Sequence, residues 1–234
     1  MVKNVRRIKD DREIHLLKKA AQIGDEAFAE ILPLIKPGVT EKNIEIELEY
    51  LMKKKGALSS SFPIIVASGP RSSLPHAIPT DRKICKGDFI TLDYGALYEG
   101  YCSDMTRTVV VGQPDQKQRE IYQLVKKAQD IGVQTVRGGM LGKEVDQAAR
   151  SVIAKAGYGD YFGHGLGHGI GLEVHEEPVL NSRSDHLLPP GSVVTVEPGI
   201  YLPNWGGVRI EDSVVVRPEG CEIITRATKD LIIL

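Results

Sequence analysis

Gly87-Asp88-Phe89-Ile90-Thr91-Leu92-Asp93 and Gly191-Ser192-Val193-Val194-Thr195-Val196-Glu197 follow one pattern: glycine, any residue, two apolar residues, threonine, one apolar residue, an acid. Each copy reads as a strand, and each is followed by a glycine-containing turn and a second acid ahead of another β-rich run. Asp104 stands before the run ending Val109-Val110-Val111, and Glu211 before Asp212-Ser213-Val214-Val215-Val216. Two such matches in register point to an internal duplication.

The segments around each copy repeat as well. Residues 10–32 carry apolar positions at helical spacing (Ile14, Leu17, Ala21, Phe28, Ile31, Leu32), with Pro33 as a stop. Lys36-Pro37-Gly38 reads as a turn, and Thr40 with Asn43 opens a second helix running to Gly56. Phe62–Ala67 reads as a strand, Ser68–Thr80 as a long loop, and 88–95 with 101–111 as a hairpin joined through Gly95 and Gly100. The order then recurs: helices over Gln116–Arg137 and Gly142–Ala156, and β-rich segments at 192–201 and 207–217. Gly38, Ile44 and Gly56 are answered 101 positions later by Gly139, Val145 and Gly157. The predicted fold is α+β: two helix-helix-hairpin halves related by a pseudo-twofold axis, antiparallel sheet inside and helices outside. The 87–111 hairpin is expected to lie on the 191–217 hairpin.

Alternation along a strand places Phe89, Thr91 and Asp93 on one face, and likewise Val193, Thr195 and Glu197, and Arg209, Glu211 and Ser213. An acid at the end of an apolar strand is costly to bury unless something neutralises it. Any one of these acids alone reads as a capped or salt-bridged strand end. At equivalent places in two halves, Asp93, Asp104, Glu197 and Glu211 are expected to converge. Four convergent carboxylates repel and raise one another's pKa; two divalent cations cancel that charge. Oxygen-rich ligation with a single imidazole suits manganese, with cobalt, iron and zinc as alternatives.

The segment 163–176 sets His164, His168 and His175 in a glycine-rich run, with glycine at 163, 165, 167, 169 and 171. So much glycine argues against a helix, and in an extended chain four residues span roughly 13 Å. One of His164 and His168 is therefore expected to ligate and the other, with His175, to face substrate. The run lacks the Lys-Ser/Thr of a phosphate loop. His15 and His186 read as surface residues, and His76 on its own as a loop residue.

Composition limits the remaining classes. A formal net charge of −1 leaves no basic field for a nucleic acid, and Lys53-Lys54-Lys55 reads as a solvated helix end. Three cysteines (Cys85, Cys102, Cys221), far apart and without CxxC spacing, argue against a disulfide framework and a thiolate zinc site. No apolar run approaches the roughly 20 residues a membrane span needs, and MVKNVRRIKDDREIH has no signal-peptide core. The expectation is a cytoplasmic protein with no nucleic-acid or membrane partner.

With these residues in place, the chain resembles the catalytic domain of the pita-bread metallopeptidases, in the Xaa-Pro branch that includes Xaa-Pro dipeptidase and aminopeptidase P. The carriers are the stretches 75–84, 92–108, 164–176, 196–201 and 208–216. The resemblance implies Asp93, Asp104, His168, Glu197 and Glu211 as metal ligands, with Asp104 and Glu211 bridging two ions. It also implies catalytic or substrate-facing roles for His76, His164, His175, Glu197 and Arg209. The implied activity is hydrolysis of the N-terminal bond of a short Xaa-Pro peptide, with a metal-bridging hydroxide as nucleophile. Methionine aminopeptidase is the nearest alternative. A metal-free peptide-binding module and a creatinase-like amidinohydrolase on the same fold would each be expected to have lost ligands that are all present here. The expected organisation is a single catalytic domain over 1–234, without the N-terminal domain usual in that branch; a homodimer is one assembly left open.

Overall fold

A capping aspartate opens each long helix. Asp10 accepts from the Glu13 amide while Glu13 reaches back to the Asp10 amide, and Asp115 and Gln118 make the same reciprocal pair. The computed structural model describes residues 2–234. Its helices are α1 (Val2–Arg7), α2 (Asp11–Ile31), α3 (Glu41–Lys54), α4 (Gln116–Thr135) and α5 (Gly142–Lys155). The strands are β1 (Ser59–Ser60), β2 (Ile65–Ser68), β3 (Phe89–Tyr94), β4 (Ala96–Tyr98), β5 (Tyr101–Cys102) and β6 (Met105–Val110), then β7 (Gly167–Gly169), β8 (Glu176–Leu180), β9 (Val193–Val196), β10 (Gly199–Leu202), β11 (Gly206–Arg209), β12 (Asp212–Arg217) and β13 (Gly220–Ile223).

The duplication is visible in the backbone. Gly38 and Gly139 hold φ +94° and +80°, Gly87 and Gly191 +92° and +89°, values that favour glycine. The Gly38 amide donates to the Ile84 carbonyl at 2.9 Å, and the Gly139 amide to that of Leu188 at 2.9 Å. Isolated bridges pair Thr40 with Lys83 and Leu141 with Leu187. The pairing of Ser68 with Ile90 in one half matches that of Gly169 with Val194 in the other, so β2 and β7 are equivalent edges of the two motif strands.

In the first half β2, β3 and β6 form an antiparallel sheet, and in the second half the order is β13-β12-β9-β7-β8. Helices α2 and α3 cover the first sheet through Ile23, Phe28, Leu48 and Met52 against Ile90 and Leu92. Helices α4 and α5 cover the second through Ile121, Val125, Ala149 and Ile153 against Val194 and Val214. Each of the larger of these side chains contributes roughly 1.5–3 kcal/mol on burial. The sheets meet where the Glu211 amide donates to the Thr106 carbonyl at 3.1 Å and Thr108 Oγ1 donates to the Arg209 carbonyl at 2.9 Å. Sheet lies inside and helices outside: the pita-bread arrangement.

Three boundaries differ from the sequence reading. The strand expected over Phe62–Ala67 is β2, beginning only at Ile65 after Pro63, whose ring nitrogen cannot donate to a ladder. The hairpin over 88–95 and 101–111 is broken into β3/β6 and a tip, β4/β5, that pairs with β1 instead. The segments 192–201 and 207–217 each split into two strands, the first at Glu197-Pro198 and the second at Ile210-Glu211. These breaks leave Asp104, Glu197 and Glu211 off the ladders, and Asp93 one residue from the end of β3, where their carboxylates reach one another. His186, expected at the surface, is half-buried with its Nδ1 unpartnered among the described residues.

Candidate metal centre

His168 is the middle residue of β7, and its neighbours explain the glycines. A Cβ on Gly167 would meet the Thr195 carbonyl oxygen at 2.0 Å, and one on Gly169 the Glu177 carbonyl oxygen at 2.4 Å. Only glycine lets β7 run so close between β8 and β9. The His168 amide donates to Thr195 Oγ1 at 3.1 Å, and that hydroxyl donates to Glu197 Oε1 at 3.1 Å. The threonine of the repeated motif thus ties the imidazole strand to the acid two residues beyond it.

Asp104, His168 and Glu211 each present a ligand atom within 4.8 Å of the others. His168 Nε2 lies 3.6 Å from Asp104 Oδ2 and 3.3 Å from Glu197 Oε1. Nδ1 sits 3.1 Å from the Gly169 carbonyl, to which it can only donate. Burial lowers the pKa of the ring, but the hydrogen bond and charge of Glu197 outweigh it and raise it, favouring a proton on Nε2 that faces the carboxylates; a cation would take that proton's place on the Nε2 lone pair. Asp93 lies beside this group but is gripped elsewhere, its Oδ2 2.5 Å from Arg209 Nη2.

The electrostatics call for positive charge. Burial, then the charge of Glu211 and of Asp93, push Asp104 well above the usual carboxylate range. Burial, then Glu197 and Asp93, do the same to Glu211. Burial also raises Asp93, against the opposing pull of Arg209. Burial alone would raise Glu197, but the hydrogen bond and charge of His168 hold it down at about 2. Glu211 Oε2 accepts from Thr106 Oγ1 at 2.6 Å, whereas Oε1 is buried with no partner among the described residues. An orphaned carboxylate oxygen costs about 1–3 kcal/mol or more. Oxygen donors, one imidazole and that open oxygen fit a divalent cation.

The remaining candidates divide. His76, on the loop after Gly69–Ser73, and His175, just before β8, are exposed and line the same cavity of about 550 Å³. The His175 ring centroid is 4.3 Å from that of His168, and burial, then His168, lower its pKa. His164 lines the cavity too, but both its nitrogens are engaged: Nδ1 with the Gly165 carbonyl at 2.8 Å and Nε2 with the Tyr201 hydroxyl at 2.9 Å. Burial lowers its pKa, so the ring is a neutral link. The Tyr201 oxygen accepts from Arg209 Nη1 at 2.8 Å, completing a chain from His164 through Tyr201 and Arg209 to Asp93. Sequence reasoning missed Thr106 and Tyr201. Their signal was proximity: Thr106 stands two residues after Asp104, and Tyr201 four after Glu197. Cys102 is buried and its thiol pushed up to about 11 by burial, a packing residue.

A pita-bread fold around buried carboxylates and one imidazole defines the class as that of the pita-bread metallopeptidases. The pattern of metallopeptidase family M24 matches residues 15–218, and the chain belongs to that family. It is 56% identical over 233 residues to the uncharacterized peptidase YqhT of Bacillus subtilis, covering 100% of this chain and 66% of that one. It is 46% identical over 232 residues to an Xaa-Pro dipeptidase of Pyrococcus furiosus, covering 99% and 67%. A solved Xaa-Pro dipeptidase from Bacillus anthracis superposes with a TM-score of 0.99 at 57% identity, covering 100% of this chain and 66% of that one. The chain thus spans about two thirds of the length of these relatives.

Proposed function

We propose that the chain carries the catalytic site of a dinuclear metallopeptidase that releases the first residue of short Xaa-Pro peptides. The observation that supports this best is the convergence of Asp104, His168, Glu197 and Glu211, beside Asp93, on the floor of one cavity. Its wall includes Phe62, Pro63, Ile64, Pro75 and Pro79, apolar surface suited to a proline ring. The names of the relatives agree with that substrate class.

In this reading Asp93, Asp104, His168, Glu197 and Glu211 would hold two cations, with Asp104 and Glu211 shared between the sites, Asp93 serving one and His168 with Glu197 the other; manganese fits the donor set. Bound there, the cations would supply Lewis-acid polarisation and a lowered pKa for water. Glu197, oriented by Thr195, accepts the proton that water gives up and returns it to the leaving nitrogen. His175 donates a hydrogen bond where negative charge develops on the scissile carbonyl oxygen, and His76 faces the scissile amide from the opposite loop. Arg209 holds Asp93 in place and opposes the rise that burial imposes on its pKa.

The test is turnover of Xaa-Pro, Xaa-Pro-Yaa and Met-Ala-Yaa peptides by protein reconstituted with manganese, cobalt, iron or zinc. Cleavage before proline is expected. Selective cleavage after methionine would replace the reading with a methionine aminopeptidase. In the same assay His175→Ala should lose on the order of 10²–10³-fold in kcat, with KM and metal content near those of the parent. Near-normal kcat would remove His175 from the reaction.

A further inference from the structure

Helix α3 carries two glutamates one turn apart, Glu41 and Glu45, and they do different things. Glu41 is fully buried and accepts from the Ser68 amide and hydroxyl, from Arg71 Nε, and from the Thr80 amide and hydroxyl, at 2.7–3.0 Å. It thereby pins both ends of the loop that carries His76. Glu45 is half-buried and lines the cavity itself. Among the described residues it has no hydrogen bond or ion pair. The charges around it are committed: Lys42 to Asp81 at 3.0 Å, and Glu49 to Lys53 at 2.8 Å.

The duplication shows that this free carboxylate is no structural requirement of the position. The counterpart of Glu45 in the second half is Asp146, 101 residues on, the same offset that relates Gly38 to Gly139. Asp146 is buried, bound by Arg150 at 2.8 Å and by the Leu166 amide at 3.0 Å, and so anchors the loop bearing His164. In the first half Glu41 has taken over the anchoring, and the residue at the Asp146 position is left lining the cavity with no hydrogen-bond or ion-pair partner for its side chain among the described residues. Burial, then Glu49, raise its pKa, while only Lys42 opposes them; none of the four acids of the centre is among the charges acting on it. Glu45 therefore stands on the cavity lining with its carboxylate unpartnered, open to a positive group.

We propose that Glu45 is a specificity-determining residue that favours substrates whose first residue has a cationic side chain. The assignment rests on the Xaa-Pro reading, which itself narrows the candidates. Proline carries no side-chain charge, the substrate's C-terminal carboxylate is an anion, and the α-amine adjoins the scissile bond on the cavity floor. The side chain of Xaa is what remains to meet Glu45 on the wall.

The experiment compares Lys-Pro with norleucine-Pro, of similar length but uncharged, on the metal-loaded chain and its Glu45→Gln variant. Metal content and circular dichroism are checked first. Because Glu45 has no partner to lose, the substitution removes no contact that holds the fold. The parent should favour Lys-Pro in kcat/KM by about fivefold, the upper range for a partly exposed ion pair, and Glu45→Gln should bring the ratio near one. An unchanged ratio in the variant, or no preference in the parent, overturns the assignment. If neither peptide is cleaved, the peptidase reading fails by itself. The same pair is then compared by calorimetry: tighter binding of Lys-Pro that is lost in Glu45→Gln supports Glu45 as the contact, and equal affinities overturn it.

Discussion

Asp104 concentrates the conflict that defines this site: a carboxylate 5% exposed among Glu211, Asp93 and Glu197. Its folded pKa is raised, so ionisation opposes folding in metal-free protein. The penalty is absent below the unfolded carboxylate pKa of about 3.9, grows as pH rises through the folded value, and is constant above it. Asp104→Asn should therefore raise Tm relative to the parent in chelator at neutral pH, with the gain shrinking as pH falls towards 4. In excess metal the order should reverse, because a proposed cation ligand is gone. Thermal melts across pH with and without metal, together with metal analysis, check both halves; a variant that still carries two ions contradicts the bridging role. Asp104 was legible at this scale because its place in the repeat, ahead of a β-rich run, matches that of Glu211. Thr106 was not, since nothing in the sequence shows a hydroxyl turned towards the Glu211 carboxylate.

Among the elements, β7 depends most on its exact residue sizes. Its three residues are squeezed between β8 and β9, and its central imidazole faces the carboxylates of Asp104 and Glu197. Gly167→Ala would place a methyl 2.0 Å from the Thr195 carbonyl oxygen, a backbone atom that cannot turn away. The expected cost is about 1–3 kcal/mol of overpacking, and a displaced β7 should weaken metal binding as well. Chemical denaturation and metal titration measure the two effects; unchanged values for both would show that the strand has room to shift. The sequence correctly argued that five alternate glycines exclude a helix. That two of them, Gly167 and Gly169, flank His168 in a strand pairing with β9 was not visible, because a three-residue strand has no hydrophobic period to detect. The same limit hid β13 and the β4/β5 tip.

At the scale of the whole molecule, Arg107 fastens one half to the other. It stands on β6 with 1% of its surface exposed and donates to Asp212 Oδ1 on β12 at 2.8 Å. It also donates to the carbonyls of Thr106, Glu211 and Ala227. Lys229 gives Asp212 a second counter-charge at 3.1 Å. Arg107→Leu should destabilise by about 3 kcal/mol, the lower end for breaking a buried pair, since Lys229 still compensates Asp212 in part. Adding Asp212→Leu should cost less than the sum of the single effects, as urea unfolding of the double-mutant cycle would show; strict additivity would mean that the pair does not couple the halves.

The sequence by itself determined the duplication, the α+β class, helices α2 to α5 and the residues that could hold a cation. These are local or repeated signals: apolar periods, turn and helix-opening residues, and a seven-residue motif ending in an acid. The tertiary structure alone decided which chemistry each residue is free to do. His164 has both nitrogens occupied by Gly165 and Tyr201, whereas His175 stays open to the cavity. Glu41 is consumed by a loop while Glu45, one turn away, is not. Hydrogen-bond partners and counter-charges come from segments distant in the chain, and a residue's spacing cannot show which of them will arrive beside it.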